Sequence, residues 1–163
     1  MRSIIAYTLL SLLVLLLQTT IVPFISIATI VPDLLLVWIV YIAIREGQFA
    51  ATAAGFLLGL LVDLLAGQDG MPGLSAFAKT LAGFAAGYFY NETRTQTTLG
   101  GSRLLVAIAV ASVVHNAFYF LIFLQGTDVG WWGGVIRFGI PTTVYTVCAG
   151  LLPMFFFGRK YQG

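Results

Sequence analysis

The chain has 163 residues, 60% of them hydrophobic and only 9% charged, whereas a soluble domain carries about 25% charged residues. That composition excludes an ordinary soluble domain, and a net charge of +2 with scattered basic residues gives no basis for nucleic-acid binding. The lone Cys148 excludes an internal disulfide, and its place in the last apolar block predicts a small core residue.

Apolar segments recur from Ile4 to Phe157, so most of the chain has the bilayer as its solvent. The first predicted helix covers 4–22 and stops before Pro23. It exceeds the about 7–15 residues of a cleavable signal core, so it is expected to stay, despite a small-x-small site at Ser26 to Ala28. An apolar loop between Pro23 and Pro32 follows. The second helix, 33–44, opens on Asp33, an acid placed to favour a helix start. It covers about 18 Å at 1.5 Å per residue, well short of a bilayer core of about 30 Å. Either its neighbours shelter it, or the preceding loop completes the crossing in non-helical form, which must then be buried or face a water-filled cavity.

The third helix is 49–66, the fourth 74–90, the fifth 103–124 and the sixth 135–157, with a bend expected near Pro141 and Pro153. The longest polar stretch, Asn91 to Ser102, is expected as a loop. These elements predict an all-α integral membrane protein, a single transmembrane domain over 1–163 with about six helices in one bundle. Six spans place Arg2, Arg45, Arg94, Arg103, Arg159 and Lys160 on one side, and Asp33, Asp69 and Asp128 on the other. Basic loops stay inside, so both termini are expected to be cytoplasmic. Trp131 and Trp132 then fall at the outer interface, and Tyr88, Tyr90 and Tyr161 at the inner one.

Asp63 and Lys79 lie within apolar segments, where a lone charge at mid-membrane costs about 2.5–3.5 kcal/mol. Ala51, Gly55 and Gly59 lead to Asp63 at four-residue steps, and Lys79, Gly83 and Gly87 repeat that step in the next helix. Small-xxx-small faces let helix backbones approach closely. Pairing Gly55 with Gly87 and Gly59 with Gly83 brings Asp63 level with Lys79, so a salt bridge between them is expected. Asp33, Asp63, Asp69, Lys79 and Arg137 are also candidates to line an outward cleft for a ligand or partner, because intramembrane charges mark function.

The single histidine, His115, is expected to hydrogen-bond a neighbouring helix. It cannot build a metal site without partners, and with Ser112 it makes only a weak nucleophile–base pair, since no acid on its helix orients it. There is no phosphate-binding glycine loop and no catalytic constellation. No enzyme, cofactor or metal is expected.

Three segments carry a resemblance: PDLLLVWIVYIAIREG at 32–47, AAGFLLGLLVDLLAG at 53–67 and GLSAFAKTLAGFAAGYF at 73–89. Their order resembles the rod-shape-determining MreD family: Pro32 before a short helix, a basic turn at Arg45, then Gly55, Gly59, Asp63 and Gly67. Lys79 is not part of that pattern, and the second half matches only in size and hydropathy. The resemblance implies an architecture similar to the substrate-binding subunits of energy-coupling-factor transporters. It also implies a multi-pass protein of the bacterial inner membrane, in contact with membrane lipid and a bitopic MreC-like partner, linking MreB filaments to RodA and a class B penicillin-binding transpeptidase in peptidoglycan synthesis. The competing expectation is a substrate-binding subunit of a vitamin-type transporter. That would need a specific small-molecule pocket and small residues on the first helix, which is nearly all leucine.

Overall fold

The computed structural model describes residues 2–66, 71–125 and 130–159. Among them the architecture is all-helical, with no strand. Helix α1 (Arg2–Thr20) is apolar all round and barely packed. Ile4, Ile5, Leu9, Leu12, Leu13 and Leu16 are exposed, and Leu15 is buried. Three side-chain contacts hold it instead. Tyr7 donates to Glu46 at 2.6 Å, Trp38 Nε1 donates to Ser11 at 2.8 Å, and Gln18 accepts from the Leu34 amide at 2.7 Å while donating to the Pro32 carbonyl at 3.2 Å.

A 3-10 turn, Val22–Ile25, follows. Ile27 and Ile30 then exchange two backbone hydrogen bonds of 2.9 Å. The two residues between them, Ala28 and Thr29, have φ of 48° and 70°. That double positive φ is the two-residue hairpin turn normally filled by Asn-Gly, and a β-branched Thr there is strained. The apolar loop between the prolines is thus a tight turn. It delivers Pro32 and Asp33 to the start of α2 (Leu34–Glu46), which Asp33 caps by accepting the Leu36 amide at 2.9 Å.

Helix α2 runs two residues beyond the expected Ile44 and ends at Gly47, whose φ is +92°. Helix α3 (Gln48–Ala66) starts immediately after, so the basic turn shrinks to one glycine. Helix α4 is Leu74–Ala86, continued by a 3-10 turn at Gly87–Phe89. The expected polar loop contains a short helix α5 (Thr95–Leu99), with Thr98 and Leu99 buried. Helix α6 is Ser102–Phe123, and the last segment is α7 (Trp131–Gly134), a π turn (Val135–Gly139) and α8 (Ile140–Arg159). The π turn has a cause: Pro141 has no N–H and its ring would clash with the Arg137 carbonyl four residues back, and widening the helix there relieves the clash. Pro153 is carried inside α8.

Gln48–Ala66, Ser102–Phe123 and Trp131–Gly158 are long and apolar enough to cross a membrane, and Ile4–Thr20 is apolar but slightly shorter. Helices α2 and α4 have 13 residues each, about 20 Å at 1.5 Å per residue. These short helices form the centre. Leu35, Leu36, Ile39, Val40, Ala43 and Ile44 of α2 and Ala78, Ala82 and Ala86 of α4 are fully buried. Cys148 is exposed rather than in the core: it shares α8 with Val144, Leu152, Phe155 and Phe156, also exposed, so an apolar block in this chain does not imply burial within the bundle.

The α3–α4 crossing is the most extensively packed in the bundle. Its glycines meet backbone, but not each other. A Cβ at Gly55 would lie 2.3 Å from the Lys79 carbonyl oxygen, one at Gly59 2.5 Å from the Ser75 carbonyl oxygen, and one at Gly83 2.5 Å from the Ala51 carbonyl oxygen. Gly87 faces the Gln48 side chain instead of Gly55. The expected register is therefore displaced by about two helical turns, or about 12 Å at 1.5 Å per residue. Helix α4 begins deep beside α3 rather than level with its end.

Candidate functional site

The displaced register decides where the intramembrane charges go. Asp63 does not meet Lys79. Its two carboxylate oxygens accept the backbone amides of Ser75 and Ala76, each at 3.0 Å, and so cap the N-terminus of α4 from the neighbouring helix. A helix that starts within the bilayer leaves its first amides without water or an intrahelical partner. A carboxylate at that end answers both the orphan donors and the helix dipole. The expected Asp63–Lys79 salt bridge is thus replaced, because the amides of α4 claim both oxygens of Asp63.

Lys79 lies one turn further along α4 and pairs with Asp33. The lysine is 3% exposed, so this ion pair is internal. Asp33 is fully engaged: Oδ1 caps α2, Oδ2 takes the ammonium, and its own amide donates to Thr146 Oγ1 on α8 at 3.0 Å. Asp33 therefore joins α2 and α4 through its carboxylate and α8 through its backbone amide. Both intramembrane acids share a local role, each capping one of the two short central helices.

His115 of α6 completes the cluster, its Nε2 lying 3.9 Å from Asp33 Oδ2. The Ala78 carbonyl on α4 is close enough to act on the imidazole electrostatically. Yet Nδ1 is buried with no hydrogen bond of normal geometry among the described residues. The contact expected between the imidazole and a neighbouring helix is the one to the Ala78 carbonyl of α4. Next to it, Asn116 donates to the Gly139 carbonyl and to Thr143 Oγ1, both at 3.1 Å, tying α6 to the last segment.

These groups border a cavity of about 300 Å³ that includes Gln18, Asp33, Ser75, Lys79, His115, Asn116, Tyr119 and Thr142 in its wall. Of the residues expected in a cleft, Asp33 and Lys79 are there, joined by His115, which was expected only to bond a neighbouring helix. Asp63 stands behind Ser75, spent on capping. Arg137 is elsewhere: it is exposed on the π turn with its guanidinium 5.6 Å from the centre of the Phe138 ring. Asp69 and Asp128 lie outside the described residues. Gly55, Gly59, Gly83 and Gly87 are not in the cavity wall and lie on the α3–α4 contact instead.

Sequence reasoning passed over Gln18, Ser75, Tyr119 and Thr142. A signal existed for two of them: Gln18 is the only amide in α1, and Thr142, Thr143 and Thr146 cluster within one turn of an apolar helix. Two other cavities, about 470 Å³ between α1 and α3 and about 340 Å³ between α1 and α8, are walled mainly by apolar side chains. Among the described residues no group of three or more His, Cys, Asp or Glu could hold a metal.

Long apolar helices around two short, capped and buried ones, with their charges paired internally, define a helical membrane-embedded protein with a polar centre. The chain belongs to the MreD family: the model for the rod shape-determining protein MreD matches residues 1–160, and the family's role is rod-shape determination. No curated protein and no solved structure matches it.

Proposed function

We propose that the protein is a non-enzymatic membrane scaffold of the cell-elongation machinery. It binds a bitopic MreC-like protein and so connects the MreB cytoskeleton to RodA and a class B penicillin-binding transpeptidase. The observation that carries this reading is the family match over residues 1–160. Membership gives rod-shape determination, and partner binding is the way a protein made almost wholly of membrane helices can contribute to it. The exposed leucine and isoleucine face of α1 supports the same reading, being free to pack against lipid or a partner's single helix.

In this reading the chain crosses the bacterial inner membrane six times, in an arrangement similar to energy-coupling-factor substrate-binding subunits, with both termini cytoplasmic. The short helices α2 and α4 cross with their capped ends recessed from the outer surface. The basic residues Arg45, Arg94 and Arg103 then share the cytoplasmic side, as basic loops require.

The polar cavity favours a second reading, a substrate-binding transporter subunit. The large side chains of Ile4, Leu9, Leu12, Leu13 and Leu16 on α1 weigh against it, because docking a coupling protein calls for small residues there. Purification from the native membrane in mild detergent tests both. Co-purification of an MreC-like protein is expected. Retention of a vitamin-like molecule at nanomolar affinity, with no such partner, would replace the scaffold by the transporter subunit.

A further inference from the structure

Helix α2 ends on two opposite charges, Arg45 and Glu46, and each belongs to a different groove along α1. The groove of about 470 Å³ between α1 and α3 has Glu46 in its wall, with Tyr7, Thr8 and Ser11. The groove of about 340 Å³ between α1, α2 and α8 is lined by Leu10, Leu17, Leu34, Trp38, Tyr41 and Phe157, among others. Arg45 stands at the foot of this second groove. Its guanidinium donates to the Tyr41 hydroxyl at 3.1 Å and lies 5.9 Å from the centre of the Tyr41 ring. Tyr41 is itself fixed, stacked on Trp38 at 5.1 Å and on Phe157 at 5.4 Å.

Three features set the chemistry of an occupant. The first is shape. From Leu34 to Tyr41 the groove follows α2 for about 10 Å at 1.5 Å per residue, so it runs along the helices and takes a chain. The second is the wall. Membrane helices pack on one another through small residues, and this groove is walled mostly by Leu, Trp, Tyr and Phe, which favours a flexible hydrocarbon over a partner's helix. The third is charge. Arg45 is exposed and makes no ion pair among the described residues. Its neighbour Glu46 accepts from Tyr7 of α1 at 2.6 Å, on the side of the other groove. The sequence adds Arg159 and Lys160 just after Phe157. A guanidinium held by one hydroxyl keeps the rest of its N–H fork for a phosphate.

We propose that this groove binds the acyl chain of an anionic glycerophospholipid, whose phosphate Arg45 holds at the membrane surface. The site needs only that α1, α2 and α8 lie in the bilayer, and it does not rest on the scaffold reading. Trp38 lines the groove and is one of three tryptophans in the chain, so Trp131→Phe with Trp132→Phe leaves it as the sole reporter. The full chain is placed in mixed vesicles of phosphatidylglycerol and phosphatidylcholine. One lipid at a time carries bromine on its acyl chains, and bromine quenches tryptophan emission on contact. If the paired tryptophan change does not fold, subtracting the emission of Trp38→Phe from that of the unaltered chain isolates the same signal.

Phosphatidylglycerol is expected to bind about fivefold more strongly than phosphatidylcholine, the ratio that about 1 kcal/mol per basic residue gives. Arg45→Gln should bring the two lipids to parity while quenching by phosphatidylcholine persists. Arg103→Gln, an exposed basic residue outside the groove wall, should leave the preference in place. Ala149→Phe fills the groove from α8 and should lower quenching by both lipids. If that variant does not fold, Val14→Phe fills the same space from α1. Equal quenching by the two lipids in the unaltered groove overturns the site, as does a preference that survives Arg45→Gln. A preference that Arg103→Gln reduces as much as Arg45→Gln also overturns it, since the attraction then belongs to the whole surface. Quenching by neither lipid overturns it as well, because a second copy of the chain then covers the groove.

Discussion

Helices α1 and α4 are both apolar segments of one membrane protein, and they are held in opposite ways. Helix α4 has 13 residues, eight of them buried. Its backbone lies against α3 so closely that a Cβ at Gly55 or Gly59 would reach within 2.5 Å of it. Helix α1 has 19 residues, with Leu15 buried and most of the others exposed, and is tied down by Tyr7, Ser11 and Gln18. In a bilayer, apolar character does not draw helices together, because lipid is as apolar as leucine. Close backbone packing and polar contacts do. The chain uses the first around α4 and the second on α1, and it keeps the leucine surface of α1 free.

Five substitutions test that contrast. The largest effect is expected from Lys79→Ala, which strands the Asp33 carboxylate among α2, α4 and α8. Breaking one side of a buried pair costs about 3–5 kcal/mol in soluble cores, and snorkelling lowers the figure in a membrane. The expected outcome is a larger drop in detergent melting temperature than any other of these single changes produces. Next comes Gly55→Leu. Overpacking costs about 1–3 kcal/mol where side chains can yield, and here the obstacle is the Lys79 carbonyl, so the upper end of that range is expected, with loss of the Asp33–Lys79 contact although neither charge is touched.

Asp63→Ala should cost about 0.5–2 kcal/mol, the range for losing a helix cap. It should also speed amide exchange at Ser75 and Ala76, while an Asp63–Lys79 salt bridge would leave those amides unchanged. The smallest effect belongs to α1. Trp38→Phe removes the bond to Ser11, and hydrogen bonds between membrane helices average about 0.6 kcal/mol. Leu9→Ala on the exposed face should change stability by no more than about 0.5 kcal/mol. A large loss from Leu9→Ala in the isolated protein would mean that α1 packs as α4 does, and the contrast would fail.

Much of the fold was legible from apolar periodicity. The glycine steps at 55, 59, 83 and 87 correctly marked the faces of α3 and α4 that touch. They did not fix the register, because small residues space the helices while the turn and the caps set the slide. Asp63 was read as an ion-pair partner because the sequence does not show that α4 begins deep in the bundle with bare amides. Asp33 was placed at a helix start, which was right, but its pairing with Lys79 is long-range and no spacing encodes it. The turn at Ala28 and Thr29 could not be anticipated, since neither residue favours positive φ. Cys148 was placed in the core because an apolar helix gives no sign of which face meets lipid.

The central claim is that Lys79 belongs to Asp33 and that Asp63 belongs to the start of α4. Two double-mutant cycles in the same detergent decide it, one on Asp33 and Lys79 and one on Asp63 and Lys79, each with alanine replacements and thermal unfolding as the readout. The first pair should be strongly coupled, with the double change milder than the sum by more than about 1 kcal/mol, within the 0.5–3 kcal/mol seen for contacting residues. The second pair should be additive within about 0.5 kcal/mol. Strong coupling of Asp63 with Lys79 and additivity of Asp33 with Lys79 would restore the register in which Gly59 faces Gly83 and contradict the one described.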